Sequence, residues 1–163
     1  MNVKRGTQMS IELKKANVSD AKLLHEMQVK AFMPLYEKYQ DYDTSPANEP
    51  IDRIIQRLEQ PFTDFYIIKA NNMIIGGVRV VRLKDGTRCR ISPIFVLPEF
   101  QGLGFAQETM RLIEEMYSPI NGWELDTILQ EQGNCYLYEK IGYKRTGETK
   151  VINDKMTLVF YEK

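Results

Sequence analysis

The stretch that decides the fold reads Ile94-Phe95-Val96-Leu97-Pro98-Glu99-Phe100-Gln101-Gly102-Leu103-Gly104-Phe105-Ala106. Its pattern predicts an apolar strand, a turn that contains a proline, two closely spaced glycines and the start of a helix. The first N–H groups of a helix lack intrahelical partners, and the helix dipole adds partial positive charge, so this end of a helix binds anions. Gly102 and Gly104 have no Cβ, which lets a ligand approach the backbone closely and permits a positive φ. The stretch therefore predicts a binding loop for a phosphate group.

The composition indicates one globular domain. The chain has 163 residues, of which 43% are hydrophobic and 27% are charged, and this is enough to bury a sizeable core. We expect a single domain over residues 1–163, with residues 1–9 as a flexible lead. Lysine plus arginine and aspartate plus glutamate both number 22, so the basic excess typical of nucleic-acid-binding proteins is missing.

Segments that would place the protein in a membrane or outside the cell are not evident in the sequence. Its apolar runs are too short for a membrane span, and its first eight residues lack the apolar core of a signal peptide. We therefore expect a cytoplasmic protein with no membrane partner. Cys89 and Cys135 are the only cysteines and His25 is the only histidine, so neither a disulfide framework nor a metal site is expected.

Hydrophobic periodicity predicts the order of the elements. A strand at 11–13 precedes a helix with apolar residues at helical spacing, and a polar loop over 39–48 leads to a second helix behind Pro50. β-Branched and aromatic residues predict three strands over 65–69, 73–83 and 88–96, in an antiparallel meander. A helix over 104–117, a strand over 123–129, a helix over 134–141 and a strand over 156–161 follow.

This order of elements predicts the architecture. A meander followed by one strand–helix–strand crossover gives an α+β fold, a mixed and mostly antiparallel sheet flanked by helices. Pro93 lies inside the strand that precedes the glycines, and a proline cannot donate a hydrogen bond to a neighbouring strand. We therefore expect a bulge or a local parting of strands at Pro93, and such a gap could admit an extended ligand.

Two motifs give the chain a resemblance to a known family. Gln101-Gly102-Leu103-Gly104-Phe105-Ala106 matches Gln/Arg-x-x-Gly-x-Gly/Ala and resembles the signature of the GNAT N-acetyltransferase superfamily. The segment Asn134-Cys135-Tyr136-Leu137-Tyr138-Glu139-Lys140-Ile141-Gly142-Tyr143 also looks like that family, as do the element order and the Gly76-Gly77 pair. The glycine pattern alone would be weak, but its coincidence with the second motif argues against chance.

The resemblance implies a GNAT-like fold with splayed parallel strands and an acetyl-CoA-dependent N-acetyltransferase that acts on the primary amine of a small molecule. In that family acetyl-CoA binds where the two strands splay, with its diphosphate on the amides of the glycine loop. The amide-rich arm of the cofactor would pair like an extra strand with residues 94–96. The cofactor-binding residues implied here are Ile94, Phe95, Val96, Gln101, Gly102, Leu103, Gly104, Phe105, Ala106, Gln107 and Asn134. No metal is implied.

Acetyl transfer from a thioester to an amine sets three chemical requirements: a neutral amine, donors for the thioester carbonyl oxygen and a proton for the departing thiolate. Tyr138 resembles the general acid of the family, and a phenol with a reference pKa of about 10 is protonated at neutral pH. The backbone N–H of Val96 is our candidate for polarising the thioester carbonyl.

A general base is harder to assign. Several family members carry a glutamate in the meander strand where this chain has Arg90 and Ser92. Glu124 and Asp126, on the strand after the glycine-loop helix, could act directly or through water. Cys135 could suggest an acetyl-cysteine intermediate, but no basic partner that would activate its thiol is evident. We therefore expect direct attack in a ternary complex.

Simpler interpretations of the same residues stay open. The two glycines could form an ordinary tight turn, Tyr138 could be a core aromatic residue, and Asn134 could be a helix cap. An acidic and aromatic loop could be a lid over the acceptor, where its carboxylates would favour a cationic amine, or an ordinary solvated loop. Its residues are Tyr36, Glu37, Tyr39, Asp41, Tyr42 and Asp43.

Other functions stay open as well. The chain could be a CoA-binding sensor or docking module without activity, or an acetyltransferase acting on a protein amino terminus, and a homodimer is compatible with the sequence. A dinucleotide oxidoreductase would use Gly102-Leu103-Gly104 and an acidic residue about twenty positions later, but Gln107 replaces the third glycine. A P-loop is excluded because the chain lacks the Gly-Lys-Ser/Thr that follows its glycines.

Overall fold

One seven-stranded sheet organises the computed structural model, which describes residues 10–83 and 85–163. The strands are β1 (Ile11–Lys15), β2 (Thr63–Ala70), β3 (Met73–Arg82), β4 (Arg88–Val96), β5 (Gly122–Ile128), β6 (Lys144–Asn153) and β7 (Met156–Glu162). Their order across the sheet is β1-β2-β3-β4-β5-β7-β6. The predicted flexible lead over residues 1–9, and Lys84 in the predicted β3–β4 turn, lie outside the described residues.

Four α-helices flank this sheet in the described part of the chain. They are α1 (Ala21–Tyr39), α2 (Ile51–Glu59), α3 (Phe105–Met116) and α4 (Gln132–Lys140). Short 3-10 turns lie at Val18–Asp20, Pro46–Asn48 and Pro98–Phe100. None of the described helices is both long enough and apolar enough to cross a membrane.

Two apolar cores lie on opposite faces of the sheet. Leu24 of α1 and Ile54 of α2 pack with Phe65 and Phe95 on one face, where Leu24 and Ile54 are fully buried. On the other face, Met110 of α3 belongs to a larger buried cluster that reaches the strands and α4. The helices thus cover both faces, and the predicted fold class is confirmed.

Only β4 and β5, among the described strands, run parallel to each other, and their pairing is short. It covers Arg88 with Gly122, Cys89 with Trp123, and Arg90 with Glu124. The remaining residues of β4, Ile91 to Val96, and of β5, Leu125 to Ile128, are not paired with each other among the described residues. The two parallel strands therefore splay towards their carboxyl ends.

A bulge in β4 lies at the start of this opening. Val78 of β3 pairs with Ile94, whereas Val80 pairs with Ile91, so β4 has one more residue than β3 over this interval. The extra residue falls at Ser92–Pro93, where the proline has no N–H to offer. The expected bulge at Pro93 is present.

β6 is the one described strand that the sequence pattern does not predict. Residues 144–151 are exposed on both faces, so they lack the alternation of apolar and polar side chains that reveals a half-buried strand. β6 lies at the sheet edge and pairs only with β7 among the described residues. Gly147, with φ of +95°, accompanies a shift of register between Arg145 and Thr149. Pairing with β7, rather than a periodic pattern, makes this segment a strand.

Candidate active site

A cavity of about 310 Å³ lies where β4 and β5 splay apart. One wall consists of Ile91 to Ile94 of β4 and Leu125 to Ile128 of β5, together with Asn134 and Tyr138 of α4 and Met156 and Leu158 of β7. The other wall consists of Phe32, Leu35 and Tyr36 of α1, the following loop with Asp41, Thr44, Ser45, Pro46 and Glu49, and Arg57 of α2. The opening between β4 and β5 thus contains a cavity large enough for a small ligand.

Val96 directs its backbone polar groups into this opening. The N–H of the next residue, Leu97, donates to the carbonyl of Ile75 on β3 at 2.8 Å. Because successive N–H groups of a strand point to opposite edges, the N–H of Val96 points away from β3, towards the side from which β5 has diverged. The Val96 carbonyl points the same way and accepts a hydrogen bond from Gln101 Nε2 at 2.8 Å. The predicted Val96 donor therefore faces the opening.

The loop after β4 has the conformation expected of a phosphate-binding loop. Gly102 and Gly104 have φ of +77° and +87°, in the left-handed region that favours glycine, and a Cβ at Gly102 would meet nothing within 4 Å. Gly104 is the N-cap of α3 and supplies no side chain to cap the helix. The N–H of Glu108 donates to the Gly104 carbonyl at 3.1 Å, which leaves the N–H groups of residues 105–107 without intrahelical acceptors.

The side chains of this loop serve the fold. Gln101 ties the loop to β4 through the Val96 carbonyl. Phe105 packs edge-to-face with Phe100, with ring centroids 6.5 Å apart, while the Leu103 side chain is exposed. The predicted cofactor-binding residues 101–107 thus form one loop and helix start at the end of the opening. The Gln101 N–H donates to the Pro98 carbonyl at 3.2 Å, so the backbone donors left for a ligand are those of residues 102–107.

Tyr138 projects from α4 into the cavity. Its ring packs against the rings of Tyr143 and Tyr161, each with a centroid distance of 6.2 Å. Its hydroxyl has no hydrogen-bond partner among the described residues. Burial, reinforced by the negative charge of Asp126, raises the pKa of Tyr138 to about 12. The phenol is therefore neutral at physiological pH and has a proton to donate.

The two candidate bases occupy different positions. Asp126 lines the cavity and forms an ion pair with Arg90. Glu124 forms ion pairs with Arg88 and Arg90, both at 3.3 Å, and is not among the residues that line the cavity. The structure thus brings Asp126, and not Glu124, to the cavity.

Asn134 and Cys135 are neighbours on α4 with different surroundings. Asn134 lines the cavity, and its N–H donates to the Glu131 carbonyl at 3.1 Å. The helix begins at Gln132 with Glu131 as its N-cap residue, so Asn134 is not the helix cap. Cys135 is buried outside the cavity lining, with its Sγ 3.7 Å from the Ile128 carbonyl and 3.9 Å from the Leu129 carbonyl.

A second ion pair in the cavity was not expected from the sequence. Arg57 donates two parallel hydrogen bonds to Glu49, both 2.9 Å long, and both residues line the cavity. Buried Gln28 also donates to Glu49, at 2.8 Å. The separation of eight residues between Glu49 and Arg57 spans a turn and a helix start, so no motif signals this pair.

Among residues 10–83 and 85–163, no three metal-ligating side chains group together.

Comparison with known families assigns the chain to one of them. The model of the acetyltransferase (GNAT) family matches residues 25–143, which include α2, the strands β2–β5, α3 between β4 and β5, and α4 with its cavity residues. The chain belongs to the acetyltransferase (GNAT) family. It is accordingly an acyl-CoA N-acyltransferase, and the family resemblance of its two motifs is confirmed. Comparison with curated proteins gave no match.

Solved structures share the fold over nearly the whole chain. An acetyltransferase from Thermus thermophilus is 12% identical, with a TM-score of 0.73 over 94% of this chain and 96% of that one. Spermidine N-acetyltransferase from Vibrio cholerae, solved with CoA and spermine, is 15% identical, with a TM-score of 0.74 over 94% of each chain. A Salmonella typhimurium acetyltransferase that modifies the N-terminal serine of ribosomal protein L7/L12 is 16% identical, with a TM-score of 0.74 over 96% of each chain. At these identities the likeness shows the fold alone.

Proposed function

We propose that this protein transfers the acetyl group of acetyl-CoA to the primary amine of a small molecule, by direct attack in a ternary complex. The observation that carries the proposal is the opening between β4 and β5. It has the Val96 N–H at its edge, the glycine loop at its end and the Tyr138 hydroxyl in its cavity.

The groups around the opening fit the parts of acetyl-CoA. The N–H groups of residues 102–107 suit the diphosphate, because they lie at the start of a twelve-residue helix whose first N–H groups lack intrahelical partners. The edge of β4 at Ile94 and Val96, which β5 does not pair, suits an arm that carries amide groups and would add to the sheet as a further strand. On this edge the Val96 carbonyl already accepts the hydrogen bond from Gln101, and the Val96 N–H does not share in it. Asn134, at the cavity wall, supplies an amide side chain for the same arm.

The chemistry follows from two donors. The attacking amine nitrogen forms a bond to the carbonyl carbon while the carbon–sulfur bond breaks. The Val96 N–H donates to the carbonyl oxygen as negative charge develops on it. Tyr138 donates its proton to the departing sulfur, a role that its neutral phenol suits at physiological pH. The proton that the attacking nitrogen loses passes to solvent, and solvent returns a proton to the Tyr138 phenolate. The Sγ of Cys135 lies near two backbone carbonyls outside the cavity lining, which supports direct attack over an acetyl-cysteine route.

The size of the cavity supports a small acceptor. Its volume of about 310 Å³ is at the lower end of the range typical of small-molecule sites, roughly 300–1,000 Å³. The structural neighbours include enzymes for a small amine and for a protein amino terminus, so they do not decide between the two.

Acetyl-CoA should stabilise the protein against heat. At about a hundred times its Kd, a ligand that binds only the folded state adds roughly 2.7 kcal/mol, which corresponds to about 5–10 °C in Tm for a domain of this size. Differential scanning fluorimetry with acetyl-CoA, and with NAD as the control, measures this shift. A shift with NAD alone would contradict the proposal. Stabilisation by acetyl-CoA without thiol release in the presence of any amine would indicate a non-catalytic CoA-binding module.

Asp126 should matter more to turnover than Glu124. The sequence predicts Glu124 or Asp126 as the base, and we place Asp126 at the attacking amine because it lines the cavity and Glu124 does not. Asp126→Asn should lower kcat roughly tenfold or more. Glu124→Gln, which shares the partner Arg90, is the matched control and should change kcat less than about threefold. Equal losses in the two variants, measured by thiol release, would exclude a specific role for Asp126.

A further inference from the structure

The three carboxylates that line the cavity differ in their partners. Glu49 forms a two-pronged ion pair with Arg57, and Asp126 pairs with Arg90. Asp41 is only 4% exposed, and its oxygens accept hydrogen bonds from the N–H of Thr44, at 2.9 Å, and from the Thr44 hydroxyl. No cationic side chain forms an ion pair with Asp41 within the described parts of the chain. Asp41 is therefore a buried carboxylate at the cavity wall that has no cationic partner in residues 10–83 and 85–163.

The two hydrogen-bond donors of Asp41, the N–H and the hydroxyl of Thr44, are neutral and do not balance the charge of its carboxylate. The hydrogen bonds from Thr44 orient the Asp41 carboxylate, but they leave its negative charge uncompensated and some of its lone pairs unused. Burying a charge without an opposite charge costs free energy, so a cation that enters the cavity is stabilised there. An ammonium group binds a carboxylate through short, charge-assisted hydrogen bonds.

The rest of the loop-side wall suits a hydrocarbon chain that ends in a cation. Phe32 and Leu35 contribute apolar surface, and Tyr36 contributes an aromatic ring, a group whose face attracts ammonium ions. Tyr36 is held edge-to-face against Tyr42, with centroids 5.8 Å apart. Arg57 is the single cationic side chain among the described lining residues, and Glu49 already occupies its guanidinium. Among its described lining residues, the cavity thus has a carboxylate for a second positive charge and no unpaired cation for an acceptor carboxylate.

We propose that the acceptor is a diamine or polyamine, in which Asp41 binds the distal ammonium while the near amine attacks the thioester. This inference rests on the proposed acetyl transfer. It adds the substrate class and gives Asp41 a role in specificity.

Three acceptors of matched length test the proposal. Pentylamine has one amine, diaminopentane has an amine at each end, and aminopentanoate has a carboxylate at the far end. With the wild-type protein we expect kcat/KM, measured by thiol release, to be roughly tenfold or more higher for diaminopentane than for pentylamine. Aminopentanoate should be the poorest of the three, because its carboxylate would meet Asp41. A preference for aminopentanoate would overturn the proposal.

The Asp41→Asn variant tests the charge of Asp41 separately from its role in the turn. The asparagine oxygen still accepts the hydrogen bond from the Thr44 N–H, so the loop conformation is kept while the negative charge is lost. The preference for diaminopentane over pentylamine should fall by roughly tenfold. Asp43→Asn removes the same charge from an exposed position in the same loop and should leave that preference within about twofold. An unchanged preference in Asp41→Asn would overturn the proposal.

A binding measurement separates this inference from the proposed function. Calorimetric titration of diaminopentane into the protein with CoA present needs no turnover, and we expect Asp41→Asn to weaken binding by roughly tenfold. If no amine releases thiol but diaminopentane binds in an Asp41-dependent way, the ammonium site at Asp41 is supported and the proposed acetyl transfer is contradicted. If pentylamine and diaminopentane are acetylated equally well, and Asp41→Asn changes kcat/KM for neither, the proposed acetyl transfer is supported and the ammonium site at Asp41 is contradicted.

Discussion

Tyr138→Phe should lower kcat by about a hundredfold or more, while the Kd for acetyl-CoA stays within about twofold. The substitution removes the proton that the departing sulfur needs but keeps the ring between Tyr143 and Tyr161. The Tyr138 hydroxyl has no hydrogen-bond partner among the described residues, so its loss leaves none of their polar groups unpaired. Steady-state thiol release measures kcat, and calorimetric titration measures the Kd.

The matched control for this variant is Tyr136→Phe. Tyr136 lies on the same helix, is 68% exposed and is not part of the cavity lining, so the same chemical change there should leave kcat nearly unaltered. A Tyr138→Phe enzyme with wild-type kcat would remove Tyr138 from the chemistry. Equal losses in the two variants would point to a general effect on the helix.

Gly76→Ala should destabilise the protein by about 3 kcal/mol and lower its Tm by roughly 6–12 °C. A Cβ at Gly76 would lie 2.1 Å from the carbonyl oxygen of Phe95, and this contact is with the backbone of β4, which cannot rotate away. Gly76 pairs with Val96, so the strand that moves is the one that carries the proposed oxyanion donor. We therefore also expect weaker binding of acetyl-CoA. Thermal unfolding and calorimetric titration measure the two effects.

Gly133→Ala provides the control for this substitution. Gly133 lies in the first turn of α4, and a Cβ there would meet nothing within 4 Å, so alanine should be neutral or stabilising by up to about 1 kcal/mol. If Gly76→Ala melts at the wild-type temperature, β3 and β4 do not approach each other as closely at Gly76 as described here.

Local sequence signals account for most of the fold. The glycines between β4 and α3 predict a left-handed loop because other residues rarely adopt a positive φ, and Gly102 and Gly104 have that conformation. Pro93 predicts the bulge because it lacks an N–H, and the register shift lies at that residue. β6 was missed because an exposed edge strand has no buried face to impose a period of two.

The candidate site was predictable only in part. The backbone donors of the glycine loop and Tyr138 lie in the two motifs that resemble the GNAT family, so the sequence alone locates them. The pairing of Asp126 with Arg90 joins residues 36 positions apart, and it depends on β4 and β5 being neighbours in the sheet. A sequence pattern identifies acidic residues, but not which of them a cation neutralises. The contrast between Glu49, which Arg57 neutralises, and Asp41 therefore appears only in three dimensions.

Main-chain donors around the β4–β5 opening are proposed to bind the diphosphate and the thioester arm of acetyl-CoA, and the proposed acetyl transfer depends on this binding. Amide-resolved NMR during a titration with CoA observes those donors themselves. We expect the largest shifts at the N–H groups of Val96, Gly102, Gly104, Phe105 and Ala106, saturating together with one Kd. Saturable shifts confined to other parts of the chain, or no shifts at all, would contradict the proposed binding mode.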